Sequence, residues 1–258
     1  MTLKQKVKQI KEGNLKAVDN VLAFSKIIAT PKTKNLNIFL NLNEYAIEQA
    51  KEIDKRIKDK KKTGKLAGLC FAVKSNISVK NLETNCASKV LEGYVSPYNA
   101  TVINKLISED AIILGMVNMD EFACGGSGET SAFGPTKNPR NSELIPGGTS
   151  SGSAAAVAAG LCDFSLGSDT GGSIRTPASH CGVTGLKPTY GSVSRYGLID
   201  MTMSFDCIGP LTNSPEDSKL IFNIIKGQDN FDQTTIDTRK TESPKTGIIG
   251  LDTKGFCD

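Results

Sequence analysis

The sequence predicts an α/β protein, a layered core of strands and helices preceded by a helical lead-in. Three observations carry this. Apolar positions repeat at helical spacing from about Leu3 to Asp59. Two short, continuous apolar runs, Leu69–Val73 and Ala111–Met116, stand either side of a helical segment from about Ala100 to Ser108. Glycine gathers further on, with 14 of the 25 glycines between Gly125 and Gly191, where turns must close between short elements.

In the lead-in, Leu3, Val7 and Ile10 form one stripe; Leu42, Tyr45, Ala46, Gln49, Ile53 and Ile57 form a second, with Pro31 separating them. Gly64 and Gly68 punctuate the chain. Leu69–Val73 then reads as a buried strand ending in Lys74. The helix over 100–108 leads directly into the second apolar run, also read as a strand. Ala154–Ala159 is a small-residue helix with Gly160 as its C-terminal cap, followed by a short strand near Phe164–Leu166. Past Pro188 the chain reads as loop to about Pro210, and Pro215–Ile225 as a helix. Residues 228–245 read as a polar surface connection, and Gly247–Leu251 as the start of another strand-like run.

Composition excludes several classes of function. His180 is the only histidine, which rules out any metal site with two imidazole ligands; no metal site is expected. A Ser-His-Asp triad would have to be built on that one ring. Seven scattered cysteines without a C-x-x-C pair argue against a disulfide framework or zinc finger, and Cys181 beside His180 is not a catalytic pair. The net charge of +4 owes much to Lys51, Lys55, Arg56, Lys58, Lys60, Lys61, Lys62 and Lys65. No aromatic residue interleaves with them, so a solvated helix face and turn is expected rather than a nucleic-acid surface. The apolar runs are far too short to span a bilayer and the lysine-rich N-terminus is no signal peptide, so a cytoplasmic protein without membrane contact is expected.

Two glycine clusters remain: Pro146–Ser153 and Gly167–Ser173. Neither a phosphate loop nor a dinucleotide fingerprint occurs. Gly148-Thr149-Ser150-Ser151-Gly152 fits the G-x-S-x-G elbow of hydrolases, yet no strand precedes it and His180 lies too close. What remains is serine and lysine chemistry. Ser173 follows Gly171 and Gly172 in a turn whose consecutive N–H groups can face one developing oxyanion. Its hydroxyl needs a base, and a lysine serves only when neutral. From an ordinary pKa of about 10.4, neutrality at pH 7 costs roughly 4.6 kcal/mol. Burial supplies shifts of that size. Lys74, at the end of an apolar run, is the lysine best placed for it; otherwise it merely ends a strand and points to water.

These residues resemble the amidase signature family. The resemblance lies in Pro146–Ser153 with the alanines that follow, in Gly167–Arg175, and in Lys74 after Gly68–Val73. Within the family, Met119–Ala123 with Gly125-Gly126-Ser127, and Ser194–Leu198 leading to Ile208–Thr212, look most like the A-subunit branch of the glutamyl-tRNA(Gln) amidotransferases. The resemblance implies a mixed β-sheet core covered by helices on both faces. It also implies a Ser–cis-Ser–Lys triad, with Ser173 as nucleophile, Lys74 as base, and the bridging hydroxyl 24 positions before the nucleophile, at Thr149. Serine is usual at that place. Threonine keeps the hydroxyl but adds a methyl and stiffens χ1; Ser150 is the alternative. Thr170, Gly171 and Gly172 would supply oxyanion N–H groups, and Gly126, Ser127 and Ser150 would contact substrate. Asp169 and Arg175 are expected to hold the loop together. Ser75 and Ser151 are smaller departures, standing where an acidic residue and a glycine are common.

The resemblance further implies a domain that continues past Asp258. Residues 1–62 would be an N-terminal helical segment packing on the core, and 63–258 the N-terminal part of the amidase signature domain. The implied function is glutamine hydrolysis that supplies ammonia for converting Glu-tRNA(Gln) to Gln-tRNA(Gln). The partners would be the amidotransferase's B subunit and its small C subunit. No cofactor is expected in this chain, with ATP and magnesium acting at the partner. A stand-alone amidase on another small amide and a non-catalytic fragment are the alternatives.

Overall fold

A computed structural model describes residues 1–237. Gly247–Leu251 and the end of the 228–245 connection lie outside the described residues. The strands are β1 (Phe39–Leu42), β2 (Cys70–Lys74), β3 (Ile112–Val117), β4 (Phe164–Asp169), β5 (Thr184–Gly185) and β6 (Cys207–Thr212). They form one six-stranded sheet in the order β1-β3-β2-β4-β6-β5. At its centre β2 runs parallel to both β3 and β4. The outer pairs β1–β3, β4–β6 and β5–β6 are antiparallel, so the sheet is mixed.

The central strands are buried on both faces, which is why they read as unbroken apolar runs rather than as alternation. Alternate residues of β2 enter different cores. Cys70 and Ala72 join the core made by α2 (Ala17–Ile28), α4 (Ala46–Lys58), α6 (Ser151–Ala158) and α7 (Arg175–Cys181). Phe71 and Val73 join the opposite core, made by α1 (Leu3–Lys11), α5 (Thr101–Ser108) and α8 (Pro215–Ile225). Phe71 stacks on Phe164 of β4 at 5.0 Å between ring centres. Helices therefore cover both faces of the sheet.

The N-terminal helices are tied down by two carboxylates, the half-buried Asp54 and the buried Asp163. Thr2 caps α1 with Gln5 in a capping box. Asp54 of α4 accepts from Ala17 N at 2.7 Å and Val18 N at 3.1 Å, satisfying two donors that the start of α2 leaves open. Asp163, before β4, accepts from Lys6 Nζ, Asn20 Nδ2 and Cys70 N, joining α1, α2 and β2 at one point.

Three elements differ from the sequence expectation. The helical lead-in is interrupted by the short helix α3 (Pro31–Lys34) and by β1, a four-residue edge strand that is nowhere fully buried and lies just before the helical stripe of α4. The strand near Phe164 runs on to Asp169, because β6, which begins inside the stretch read as loop, pairs with Ser165–Asp169. Helix α7 also forms directly after the second glycine cluster. Its Pro177 sits in the first turn, where a backbone N–H has no helical partner to lose.

Candidate active site

Ligand sites in open sheets lie outside the carboxyl ends of parallel strands. Here β2 and β4 end side by side, with the turn before α6 packed over them. Lys74 is the last residue of β2 and is 0% exposed. Its Nζ lies 2.6 Å from Thr149 Oγ1, 2.9 Å from Ser168 Oγ and 3.4 Å from the Ser168 carbonyl. Burial pulls its pKa from 10.5 down to about 7, against the attraction of Asp120, Asp169 and Asp206, in that order. Lys74 thus points inward, away from solvent, and the other expectation for a strand-terminal lysine does not apply.

Thr149 is held by the turn that carries it. The Gly148–Thr149 peptide bond is cis. Gly148 donates to Gly126 O at 2.7 Å, and Thr149 O accepts from Asp120 N at 3.2 Å. Only glycine fits at 148, since a Cβ there would stand 2.0 Å from Asp120 Oδ2. The neighbouring Ser150 Oγ faces β4, donating to Ser168 O at 3.0 Å and accepting from Ser168 N at 3.3 Å.

The second cluster closes on Asp169. Its carboxylate accepts from the N–H groups of Gly172, Ile174 and Arg175, and from the Arg175 guanidinium at 3.0 and 3.1 Å. Burial alone would raise this carboxyl, but the Arg175 side chain and the Ile174 and Arg175 N–H groups hold it below the usual range. The Gly172 N–H is therefore engaged. The N–H groups of Thr170, Gly171 and Ser173 form no hydrogen bond among the described residues. Ser173 is 8% exposed, its carbonyl accepts from Ser150 N at 3.1 Å, and its hydroxyl has no partner among the described residues. A Cβ on Gly171 would meet nothing within 4 Å, so this turn opens to free space. The Thr170 hydroxyl donates to Asp206, which also accepts from Met201 N and Thr202 N and so fixes the neighbouring loop. Gly126 is exposed and Ser127 half-buried.

The arrangement brings Lys74, Thr149 and Ser168 into contact and ties the Thr149 and Ser173 turns together through Ser150. Sequence reasoning does not single out Ser168, Asn76 or Asp206. Asn76 Nδ2 donates to Ser168 Oγ at 3.1 Å, while its buried Oδ1 is unpartnered among the described residues. No spacing rule marks such residues, because their roles depend on which backbones β2 and β4 bring together. Cys181 Sγ donates to Pro146 O, and burial raises its pKa to about 12, so it is a neutral packing group. No cluster of three metal-ligating side chains occurs among the described residues. No described helix is long and apolar enough to cross a membrane.

A family description, Amidase, matches residues 19–250. The A subunit of the glutamyl-tRNA(Gln) amidotransferase of Methanocaldococcus jannaschii is 57% identical over 231 residues, covering 87% of this chain and 52% of the relative. That of Methanothermobacter thermautotrophicus is 56% identical over 247 residues, covering 95% of this chain and 54% of the relative. Among solved structures, the corresponding protein from Thermotoga maritima superposes with a TM-score of 0.81 at 40% identity, over 92% of this chain and 49% of that one. Peptide amidase from Stenotrophomonas maltophilia gives 0.87 at 33% identity, over 91% and 50%. The chain spans about half the length of the curated relatives it matches.

Proposed function

Since this chain belongs to the amidase family, we propose that it is the glutamine-hydrolysing part of a tRNA-dependent amidotransferase. The observation that carries the reading is the fully buried Lys74 amine 2.6 Å from the Thr149 hydroxyl, on a turn bonded to that of Ser173. The relay starts from neutral Lys74. A neutral amine has two N–H bonds and one lone pair. With the N–H bonds directed at the two Ser168 oxygens, the lone pair faces Thr149 Oγ1. Thr149 gives its proton to Lys74 and takes that of Ser173 as Ser173 Oγ attacks the side-chain amide carbon of glutamine.

The resulting oxyanion is received by free N–H groups of the Thr170–Ser173 turn, each donor lowering the barrier by about 2.7–4 kcal/mol. Collapse breaks the C–N bond, and the proton held on Lys74 returns through Thr149 to the departing ammonia. Water then hydrolyses the glutamyl ester by the same relay and releases glutamate. Ammonia passes to the B and C subunits, where ATP and magnesium support amidation of Glu-tRNA(Gln). The names of the 51–59% identical relatives support this assignment. A glutaminase assay of the chain, alone and with these partners, tests it. Ammonia release that disappears in Ser173→Ala is the expected result, and equal release in that variant would falsify the nucleophile.

A second reading rests on the likeness to peptide amidase: in this chain the relay of Lys74, Thr149 and Ser173 would then act on a peptide amide. Turnover of a peptide amide exceeding that of glutamine would favour it.

A further inference from the structure

Asp120 lies three residues beyond β3 and is 0% exposed, with no Lys or Arg hydrogen-bonded to it among the described residues. A buried carboxylate without an ion-pair partner is costly unless several donors satisfy it. Here the donors come from one loop. Gly128 N reaches both carboxylate oxygens at 3.1 and 3.0 Å, Thr130 N reaches Oδ1 at 3.1 Å, and the Thr130 hydroxyl donates to Oδ1 at 2.9 Å. The other side of the carboxylate is pressed against backbone. A Cβ on Gly125 would stand 2.6 Å from Asp120 Cγ, and one on Gly148 2.0 Å from Oδ2. The Asp120 N–H donates to Thr149 O, and Gly148 N donates to Gly126 O. Asp120 thus joins the two segments: its carboxylate binds the loop of Gly126 and Ser127 and packs against Gly148, and its backbone N–H holds the turn of Thr149.

We propose, on the reading of Lys74, Thr149 and Ser173 given above, that Asp120 is a positioning residue: its carboxylate clasps the 125–130 loop to the Gly148–Thr149 turn and so holds the Thr149 hydroxyl against the Lys74 amine. The clasp also carries charge. The groups acting on the Lys74 ammonium are Asp120, Asp169, Asp206 and the Cys86 thiol, and Asp120 favours it most strongly. Asparagine at 120 keeps the shape and removes the charge. Glutamate keeps the charge but adds a methylene where Gly125 and Gly148 leave no room.

The test follows the Lys74 Cε carbon by 13C NMR against pH, assigned with Lys74→Arg, and measures labelling of Ser173 by a fluorophosphonate probe at pH 8. Asp120→Asn is expected to lower the Lys74 midpoint by about one unit. Asp120→Glu is expected to leave that midpoint in place and slow labelling at least about tenfold, the lower range for loss of well-placed proton transfer. An unmoved midpoint in the Asn variant, or labelling of the Glu variant within twofold of the parent, overturns the proposal. Should neither fold, Thr130→Val removes one clasp donor at an exposed position: slower labelling with an unmoved midpoint supports the clasp, and unchanged labelling overturns it. If the parent is never labelled at Ser173 yet Lys74 titrates near 7, the nucleophile reading fails, and the Asn midpoint alone decides the role of Asp120.

Discussion

Lys74 Nζ sits 2.6 Å from Thr149 Oγ1, with both residues 0% exposed, so the hydroxyl nearest the buried amine belongs to a threonine. The relay needs that hydroxyl and not the methyl beside it. Thr149→Ser should therefore keep turnover within about tenfold of the parent, whereas isosteric Thr149→Val should lose a hundredfold or more, within the range of about 10²–10⁴ for general-base contributions. Steady-state glutaminase rates on the two folded variants check this, and equal loss in both would remove the hydroxyl from the mechanism.

Lys74 also sets a stability gradient. Its pKa falls from 10.5 to about 7 on folding, because burial disfavours the charged form. Between those values the unfolded chain binds more protons than the folded one, so this residue's contribution makes stability rise with pH. Below about 7 its penalty is fully present, on the order of 5 kcal/mol. Lys74→Met should then be more stable than the parent at pH 7 by about 2 kcal/mol or more after losing its hydrogen bonds, and inactive. Urea unfolding from pH 6 to pH 10 should show the difference shrinking as pH rises.

Attachment of the N-terminal helices depends on Asp163. Its removal takes the partner from the Cys70 N–H and from one of the two Asn20 amide N–H bonds, the other still reaching Gly68 O, and breaks the ion pair to Lys6, whose side chain is 19% exposed. Asp163→Ala should cost about 3 kcal/mol or more, and Lys6→Met distinctly less. Thermal unfolding of both variants, with proteolysis mapping early release of residues 1–28, tests the order.

Glycine substitutions separate packing from chemistry. Gly148→Ala places a Cβ 2.0 Å from Asp120 Oδ2, and should disrupt the turn and abolish activity. Gly171→Ala meets nothing within 4 Å and should leave stability within about 0.5 kcal/mol. Its methyl should instead raise KM or lower kcat by crowding the opening. Paired melting and kinetic measurements distinguish the two.

The central sheet was legible in the sequence because β2 and β3 are buried on both faces and leave continuous apolar runs. Edge strand β1 was not, since its four residues carry too little pattern beside the strong helical stripe of α4. Lys74 and Ser173 stood out by chemistry, one ending an apolar run and the other following a glycine pair. Ser168 and Asp206 were silent, because their roles arise from strand pairing and loop closure. The engagement of the Gly172 N–H by Asp169 was equally hidden: consecutive residues in a turn do not reveal which amides stay free.

The most direct measurement exposes the chain to a glutamine-mimicking electrophile and follows the adduct on Ser173 by intact mass against pH, in the parent and in Lys74→Ala. A buried neutral amine working through Thr149 gives a parent rate that rises with a midpoint near 7 and a variant that is slow and flat. The same rate and the same pH dependence in both proteins would contradict it.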